Sequence, residues 1–279
     1  MNKSPMNYIG GKYKLLPQIL PLFPEQINTF VDMFAGGLDV SLNVTANNII
    51  CNDINNYVIS IYQEMQQYQL DVLLQNIQNI ILQYNLTKTN KEGYITLRNH
   101  YNETHDPLQL FVLVCFGFNH QFRFNNKGEF NNPFGVNRSS YNPQIESNLI
   151  GLHGKLHAMT FTANNFRQMD LQDLQAGDFV YADPPYLISC GSYNDGKRGF
   201  EGWGEQDDFA LFDILDDLND RHIHFALSNV IEHKGKQNTN LNEWRQQYHT
   251  HFLNANYSNS SYQFKEKESR TVEVLITNY

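Results

Sequence analysis

The sequence predicts a mixed α/β fold in which a mostly parallel sheet carries an inserted lobe. Short apolar runs bounded by Gly, Asn or Asp recur along the chain, as is typical of buried strands in such sheets. Two runs end directly in turns of small residues or proline, at 35–37 and 183–185. Roughly 100 residues separate the second run from the third, far more than one crossover helix requires. These observations favour one α/β domain with a second unit inserted into it.

Five runs predict the parallel part of the sheet, at 29–34, 48–52, 159–162, 178–182 and 223–228. The residues 271–277 form another strong β pattern, and the apolar run 248–253 is its expected hairpin partner. Amphipathic spacing predicts a helix over 13–20, and a further helix is expected to start at 39–44.

The long intervening segment has helical periodicity in four stretches, at 56–69, 71–83, 91–101 and 106–118. A hairpin pattern follows, in which Phe122, Phe124 and Phe130 flank a turn at 125–128. We therefore expect a main domain formed by 1–55 and 156–279. The inserted domain spans 56–155, with its hairpin near 119–137.

Composition excludes several classes of protein. The chain has 279 residues, of which 41% are hydrophobic and 18% charged. No apolar run approaches the roughly 20 residues of a membrane span, and residues 1–14 lack the apolar core of a signal peptide. Three cysteines without paired spacing argue against a disulfide scaffold. We expect a cytoplasmic protein.

The net charge of −9 does not indicate a general polyanion binder. Nucleic-acid contact, however, needs only a local basic face. Arg123, Lys127 and Arg138 stand against the acidic background and could form such a face, or could simply aid solubility. Acidic residues cluster instead at 207–220, which indicates one solvated helix face.

The most specific motif is Asp183-Pro184-Pro185-Tyr186, at the end of a predicted strand. Ligands of open α/β sheets bind at that edge. The aspartate and a proline carbonyl offer two acceptors for an aromatic amine, and the tyrosine ring can stack on a base. The arrangement suits methylation of an amino group on a planar heterocycle, because the acceptors orient the nitrogen lone pair. A simple strand-ending Asp-Pro turn is the alternative.

A second candidate site follows the first strand, with the sequence Asp32-Met-Phe34-Ala35-Gly36-Gly37. Glycines there let the backbone approach a ligand closely. The spacing differs from Gly-x-Gly-x-x-Gly, which disfavours a nicotinamide dinucleotide. Asp53 ends the second strand, where a carboxylate suits a ribose diol. Capping of the helix that begins there is the alternative role for Asp53.

A third motif lies near the start of the chain, where Gly10-Gly11-Lys12 precedes the predicted helix at 13–20. Backbone amides and a lysine ammonium can meet a carboxylate in such a turn. A disordered leader with a basic tail is the alternative.

In this order, the motifs resemble those of the Dam-type DNA adenine methyltransferases, the group with the alpha order of motifs. The resemblance covers nearly the whole chain. Gly10-Gly11-Lys12 stands for the family's Trp-x-Gly-Gly-Lys, with Tyr8 in place of Trp. The other correspondences are Phe34-Ala35-Gly36-Gly37 for Phe-x-Gly-Gly, Asn52-Asp53 for the ribose pair, 183–186 for the catalytic Asp-Pro-Pro-Tyr, and 228–229 and 273–279 for two further signatures.

The resemblance implies a Rossmann-like methyltransferase sheet with a target-recognition domain inserted in it. It implies transfer of a methyl group from S-adenosyl-L-methionine (AdoMet) to the 6-amino group of adenine in duplex DNA, with S-adenosyl-L-homocysteine (AdoHcy) as product. The implied catalytic residues are Asp183, Pro184, Pro185 and Tyr186. The implied cofactor-binding residues are Tyr8, Gly10, Gly11, Lys12, Asp32, Phe34, Ala35, Gly36, Gly37, Asp53, Asn165, Phe166 and Asp183.

The inserted lobe is covered as well, because the stretch 123–135 is similar to the family's target-recognition hairpin. This likeness implies a GATC-like target. The expected DNA-binding residues are Asn119, His120, Arg123, Asn125, Lys127, Asn131, Pro133, Arg138, Tyr193, Lys197 and Arg198. The Gly-rich loop 191–204, which also carries Trp203, is expected to close over the DNA. The chain departs from the family at His120 (usually Gly), Gln121 (usually Leu) and Asn165 (often Asp).

The implied mechanism begins with the adenine flipped out of the duplex, because it cannot be reached inside it. Tyr186 would stack on the base, while Asp183 and the Pro184 carbonyl accept from its amine. Orientation and electrostatics would supply the catalysis without a covalent intermediate. The ten histidines lack ligand spacing, so we expect no metal.

The expected partner is double-stranded DNA, with no membrane contact. We expect a bacterial or phage-encoded monomer, for which a companion restriction endonuclease is one candidate partner. Two other functions share these motifs. One is an AdoMet-dependent methyltransferase that acts on RNA or a protein amide. The other is a DNA-binding relative that has lost catalysis.

Overall fold

The computed structural model describes residues 1–188, 202–254 and 271–279. Within them, eight strands form one sheet in the order β3-β2-β1-β4-β5-β8-β7, with β6 paired to β5. The strands are β1 (Thr29–Asp32), β2 (Asn48–Asn52), β3 (Met159–Thr162), β4 (Phe179–Ala182), β5 (His224–His233), β6 (Lys236–Gln237), β7 (His249–Leu253) and β8 (Thr271–Thr277). The first five are parallel, and β8 runs antiparallel to both of its neighbours.

The predicted strands are confirmed, and the register of the sheet places their loops. Asp32 at the end of β1 pairs with Tyr181 of β4, and Cys51 of β2 pairs with Asp32 from the other side. The loops that follow these three strands therefore leave the sheet side by side at one edge. The predicted hairpin partner of β8 is also confirmed, since β7 pairs with it along five residue pairs.

The helices are α1 (Leu16–Ile19), α2 (Asn56–Met65), α3 (Leu70–Gln83), α4 (Lys91–Thr104), α5 (Pro107–Phe116), α6 (Pro143–Leu156), α7 (Glu205–Asp220) and α8 (Thr239–Trp244). The four predicted helices of the intervening segment correspond to α2 to α5. The sequence analysis did not predict α6, although the residues at its start are typical of a helix N-terminus. Asn142 accepts from the N–H groups of Gln144 and Ile145, and Pro143 occupies the first turn.

Two helix predictions near the start of the chain are wrong. The helix expected over 13–20 is only the four residues of α1, followed by a 3-10 turn at Leu20–Leu22. Pro21 explains the end of α1, because its ring clashes with the carbonyl four residues earlier and it has no N–H to donate. The stretch 39–44 forms successive turns, with bonds from Leu42 to Leu38 and from Val44 to Val40.

Two hydrophobic clusters cover the faces of the sheet. One joins α1 to α6 with Phe30, Phe179 and Tyr181 of the sheet. The other joins α7 and α8 with Val31 and Val180. The helix α5 is buried along its length from Leu108 to Phe116, and it forms the centre of the first cluster. Because that cluster extends across both predicted domain boundaries, the division at 55/56 and 155/156 stays a prediction.

The predicted hairpin turn is present, but regular strands do not flank it. Phe124 and Phe130 form a single antiparallel bridge, and the turn closes through the bond from the Asn125 N–H to the Glu129 carbonyl. Both phenylalanine rings are buried. None of the helices in the described residues is long and apolar enough to span a membrane.

Candidate active site

A cavity of about 740 Å³ opens where β1, β2 and β4 end. Loops from distant parts of the chain meet there, because these strands are neighbours in the sheet. Every residue that the sequence predicted to be catalytic or to bind the cofactor lines this cavity. The structure thus brings these residues together around one cavity, while the role of each residue stays a prediction.

The carboxylate of Asp183 is held at both oxygens. The Lys12 ammonium lies 2.7 Å from Oδ2, and the Tyr186 hydroxyl donates to Oδ1 over 2.9 Å. Lys12 also donates to the Gly10 carbonyl, so the N-terminal turn is tied to the Asp-Pro-Pro-Tyr loop. Burial, followed by the charges of Asp183 and Glu273, raises the pKa of the Tyr186 phenol well above its ordinary value. Tyr186 therefore stays protonated and acts as a donor.

The glycine loop after β1 is packed against the N-terminal motif. Gly36 has a φ of +43°, and a Cβ atom at this position would lie 2.8 Å from the ring of Tyr8. Neither the conformation nor the space admits a side chain. The Tyr62 hydroxyl donates to the Gly36 carbonyl from behind and fixes the loop. The aromatic ring predicted at position 8 thus forms a wall over the glycine loop.

Asp32 is a buried carboxylate at the end of β1, where it is 2% exposed. Ser41 donates to its Oδ2, whereas its Oδ1 has no partner among the described residues. Burial is the main cause that raises the pKa of Asp32 to about 7, and the charges of Asp183 and Asp53 add to it. Asp32 thus lines the cavity with a buried acceptor oxygen, which a cationic ligand group would satisfy on reaching it.

Of the two roles considered for Asp53, capping of α2 belongs to another residue, because Asn55 is the N-cap and its side chain accepts from the Tyr57 N–H. The ribose-binding role of Asp53 stays a prediction. Its Oδ1 accepts from the Asn55 N–H, and its Oδ2 accepts from the Gly36 N–H, each over 2.8 Å. These two bonds hold the Asp53 carboxylate at the cavity wall. A carboxylate at this position offers acceptors of the kind that ribose hydroxyls require.

An aromatic cluster forms another wall of the cavity. Phe166 packs against Phe34 and Trp203, with ring centroids 5.5 and 5.3 Å apart. The side chain of Asn165, expected near an exocyclic amine, caps the 3-10 turn by accepting from the Arg167 N–H. Trp203, expected on a loop that closes over DNA, is buried and lines the cavity. Residues 191–201 of that loop lie outside the described residues, so its closure over DNA stays a prediction.

Several residues of the cavity were missed as site residues because no motif marks them. Asp39 accepts from the Tyr13 N–H and lies where a side chain at Gly11 would collide with it. Arg167 forms a 2.7 Å ion pair with Asp207 across the cavity mouth. The other missed residues that line the cavity include Asn55, Asn164 and Trp203. Their contacts join segments far apart in sequence, and no local pattern reports such pairing.

The described residues that were expected to bind DNA do not line this cavity. Asn119, Arg123, Lys127, Pro133 and Arg138 are exposed on the segment 117–139, as contact with a macromolecule requires. His120, Asn125 and Asn131 are partly buried. Three further expected contacts, Tyr193, Lys197 and Arg198, lie outside the described residues.

The unusual residue His120 occupies a backbone conformation that favours glycine. Asn119 and His120 have φ values of +52° and +53°, both in the left-handed region. The His120 ring nitrogen lies 3.3 Å from the Val114 carbonyl, and this contact helps to hold the turn. The glycine that the family has here would therefore adopt the same turn without strain.

Residues 8–268 match the family model described as D12 class N6 adenine-specific DNA methyltransferase. The chain belongs to this D12 class. The type II methyltransferase M.FokI of Planomicrobium okeanokoites is 48% identical over 99% of the chain and 43% of its own length. Modification methylase StsI of Streptococcus sanguinis is 50% identical over 99% of the chain and 43% of its own length. The DNA adenine methylase of Escherichia coli (strain K12) is 28% identical, over 93% and 90%.

This D12-class chain thus spans less than half the length of M.FokI and StsI. It corresponds to nearly the full length of the Escherichia coli enzyme. The predicted resemblance to DNA adenine methyltransferases is confirmed by these matches, which cover the sheet, the cavity and the inserted segment together.

The cavity of this D12-class protein fits AdoMet. The unpartnered Asp32 Oδ1 can accept from an ammonium group, the Asp53 carboxylate can accept from ribose hydroxyls, and the aromatic wall can pack against an adenine ring. Among the described residues, no cluster of His, Cys, Asp or Glu could hold a metal ion. That the reaction requires no metal stays a prediction.

Proposed function

We propose that the chain transfers the methyl group of AdoMet to the 6-amino group of an adenine in duplex DNA. One observation carries the proposal: the Asp-Pro-Pro-Tyr loop and the glycine loop open into the same cavity, 183–186 on one side and 34–37 on the other. A methyl donor held by the glycine loop and an amine held by Asp183 would therefore meet within that cavity. AdoMet supplies an electrophilic methyl group on a sulfonium centre.

The residues of the catalytic loop bind and orient the amine. Asp183 accepts a hydrogen from it, because an ionised carboxylate has about four lone-pair sites and Lys12 and Tyr186 use only two. The Pro184 carbonyl offers the second acceptor. The Lys12 ammonium lies 2.7 Å from the Asp183 carboxylate and holds it in place. Orientation of the nitrogen lone pair and a fixed field are the catalytic contributions of these groups.

The exposed basic residues of the segment 117–139 would carry the contact with duplex DNA. Arg123, Lys127 and Arg138 are exposed there, whereas the catalytic loop lies inside the cavity. An adenine must leave the base stack to reach Asp183, at a cost of a few kcal/mol. We propose base flipping for this reason. A monomer would suffice for one such site.

The proposed role is DNA modification beside a companion restriction endonuclease. Support comes from the names of the two longer relatives, a type II methyltransferase and a modification methylase.

The test is transfer of tritiated methyl from AdoMet to unmethylated duplex DNA, followed by nucleoside analysis and sequencing. We expect label in 6-methyladenine at one short motif. Asp183→Asn should reduce the rate on the order of a thousandfold, the size typical of a lost orienting or charge-stabilising group. It should still bind AdoHcy. Asp213→Asn, an exposed carboxylate on α7, is the matched control and should behave as wild type.

Label in RNA or protein but not in DNA would show that the chain methylates one of those substrates, and it would contradict the proposed activity on DNA. Binding of DNA without binding of AdoHcy would instead identify a relative that has lost catalysis. Retained methylation by Asp183→Asn would contradict the role assigned to the catalytic loop.

A further inference from the structure

Trp203 lies just before α7 and belongs to the aromatic wall of the cavity, but the proposed function gives it no individual role. Its indole ring lines the cavity, yet it is only 8% exposed. It packs against Phe34 and Phe166, with ring centroids 5.7 and 5.3 Å away. These neighbours belong to the glycine loop and to the turn after β3. The indole therefore completes an aromatic wall to which three separate segments contribute.

The ring is held by a carboxylate in the first turn of α7. Trp203 donates from Nε1 to Oδ1 of Asp208 over 2.7 Å, and Asn238 donates from Nδ2 to Oδ2 over 3.2 Å. Asp208 is fully buried, although its helix was expected to present its acidic residues to solvent. Burying a carboxylate is costly unless it is fully hydrogen-bonded. Asp208 accepts a hydrogen bond at each of its two oxygens, and one of the two donors, Trp203, belongs to the wall of the cavity.

The same helical turn is joined to the opposite side of the wall. Asp207, next to Asp208, forms the ion pair with Arg167. The Arg167 guanidinium lies 4.7 Å from the centre of the Phe166 ring. Two adjacent carboxylates of α7 thus fix two members of the aromatic cluster, one directly and one through Arg167.

We propose that Trp203 forms a wall of the AdoMet pocket and that Asp208 is the positioning residue that fixes the indole for that role. The inference rests on the proposed function, since it assumes that AdoMet occupies the cavity. A flat, rigid indole can pack against the adenine ring of the cofactor with little loss of entropy. Its orientation, however, depends on one hydrogen bond. Without an acceptor at position 208, the N–H would be buried and unsatisfied, and the ring would turn to find another partner.

The chain contains a matched control. Its only other tryptophan, Trp244, donates from Nε1 to Asp216 of the same helix over 2.8 Å. Trp244 stacks on Phe212, with centroids 4.4 Å apart, and lies outside the lining of the cavity. In both pairs an indole N–H donates to a carboxylate of α7, and Asp216 also accepts from the Tyr248 hydroxyl. Only the Trp203 pair faces the proposed ligand. A general loss of packing would affect both pairs, whereas a role in cofactor binding belongs to one.

The first experiment measures AdoHcy binding by calorimetry for the intact chain and its variants. We expect Asp208→Ala to raise the Kd about tenfold or more, the effect of losing one hydrogen bond to a charged group. Asp208→Asn should recover most of the affinity, because an amide oxygen still accepts from the indole. Asp216→Ala should leave the Kd within about twofold. Circular dichroism checks that each variant is folded.

The second experiment follows Trp203 itself, in the Trp244→Phe background where it is the sole tryptophan. Titration with AdoHcy should change its emission, and Asp208→Ala should shift the emission of the free protein toward that of a mobile indole. Trp203→Leu should weaken binding more than Trp203→Phe, which keeps a ring. These readouts decide the matter even if Asp208→Ala does not fold.

The outcomes separate this inference from the proposed function. A wild-type chain that does not bind AdoHcy overturns both. Normal AdoHcy binding by wild type, by Trp203→Leu and by the Asp208 variants overturns this inference and leaves the proposed function intact. The same holds if Trp203 emission is unchanged on saturation, or if Asp216→Ala weakens binding as much as Asp208→Ala does.

Discussion

Tyr186 presents two chemically separable groups to the cavity. Its hydroxyl donates to Asp183, whereas its ring lies beside the Lys12 ammonium, 5.1 Å from the ring centre. Lys12 alone would keep Asp183 in place, since its ammonium is only 2.7 Å away. The ring is the part of the side chain that a flipped base would stack on.

We therefore expect Tyr186→Phe to retain methyl transfer within about tenfold of wild type, because one hydrogen bond is lost and the ring is kept. Tyr186→Ala should lose a further ten- to hundredfold, the worth of about 1–3 kcal/mol for stacking of one base on an aromatic ring. Single-turnover rates on duplex DNA measure both. Equal losses in the two variants would place the importance in the hydroxyl instead.

The unpartnered oxygen of Asp32 predicts a pH dependence of AdoHcy binding. With a pKa of about 7, Asp32 is protonated below neutral pH and ionised above it. The ligand ammonium favours the ionised form, so binding below pH 7 must first remove a proton. We expect the affinity to rise from pH 6 to about 7.5, by up to about tenfold per pH unit below the pKa, and then to level off. Calorimetry on wild type and Asp32→Asn measures it, and a flat profile for wild type would contradict the idea.

At the scale of elements, the strands could be predicted well and the short helices could not. Each buried strand is a local apolar run, so β2, β3 and β8 agree with their predicted limits. Asp39 begins a run of turns that resembles a helix start by composition, yet its side chain is held by the N–H of Tyr13. Long-range hydrogen bonds of this kind determine whether such a segment forms a helix or a series of turns. The periodicity of the sequence does not predict these bonds.

The same distinction applies to the site. The motifs placed Asp183, Asp53 and Gly36 correctly at the cavity, because each follows a strand in a parallel sheet. Trp203 and Asp208 could not be interpreted from sequence. Their neighbours looked like a polar loop and an acidic helix face. The burial of both depends on long-range contacts, which are the hydrogen bond between them, the bond from Asn238 and the packing of the indole on Phe34 and Phe166.

The turn at 118–120 leads to a prediction in which the usual order of Ala and Gly is reversed. At His120, with its positive φ, His120→Gly should be more stable than His120→Ala by about 1 kcal/mol, because glycine enters the left-handed region without steric cost. At Gln121, where φ is −91°, the order should be normal and Gln121→Ala the more stable. Urea unfolding of the four variants measures the difference. The same order at both positions would contradict the left-handed turn.

At the scale of the whole molecule, the net charge of −9 opposes binding to DNA. Affinity must then come from a local basic face, and the segment 117–139 presents Arg123, Lys127 and Arg138 to solvent. Such a balance makes association strongly dependent on salt, because each phosphate contact releases counterions.

We expect Arg123→Ala to weaken DNA binding. The slope of log K against log salt should become less steep by about 1, the amount that corresponds to one lost phosphate contact. Arg123→Lys should restore that slope if the contact is to phosphate. If Arg123 reads a base instead, the lysine variant should relax sequence preference, since it lacks the bidentate fork. Fluorescence anisotropy at salt concentrations between about 50 and 200 mM measures the slope. Over this range, a complete protein–DNA interface loses about 10³–10⁵-fold in affinity. Arg221→Gln, at the opposite edge of the sheet, is the control, and an equal effect there would indicate nonspecific charge.

The pairing of Phe30 with Phe179 has a consequence for how this chain folds. The glycine loop follows β1 and the catalytic loop follows β4, so the cavity forms only after the entire intervening segment has been spanned. Closing so long a loop costs entropy before any contact between the two strands repays it. The pairing of β1 with β2 is local by comparison and can precede it. The ligand-binding cavity is therefore expected to form late in folding, after most of the secondary structure. A ligand would then bind and stabilise the folded chain, and it would not accelerate the earlier folding steps.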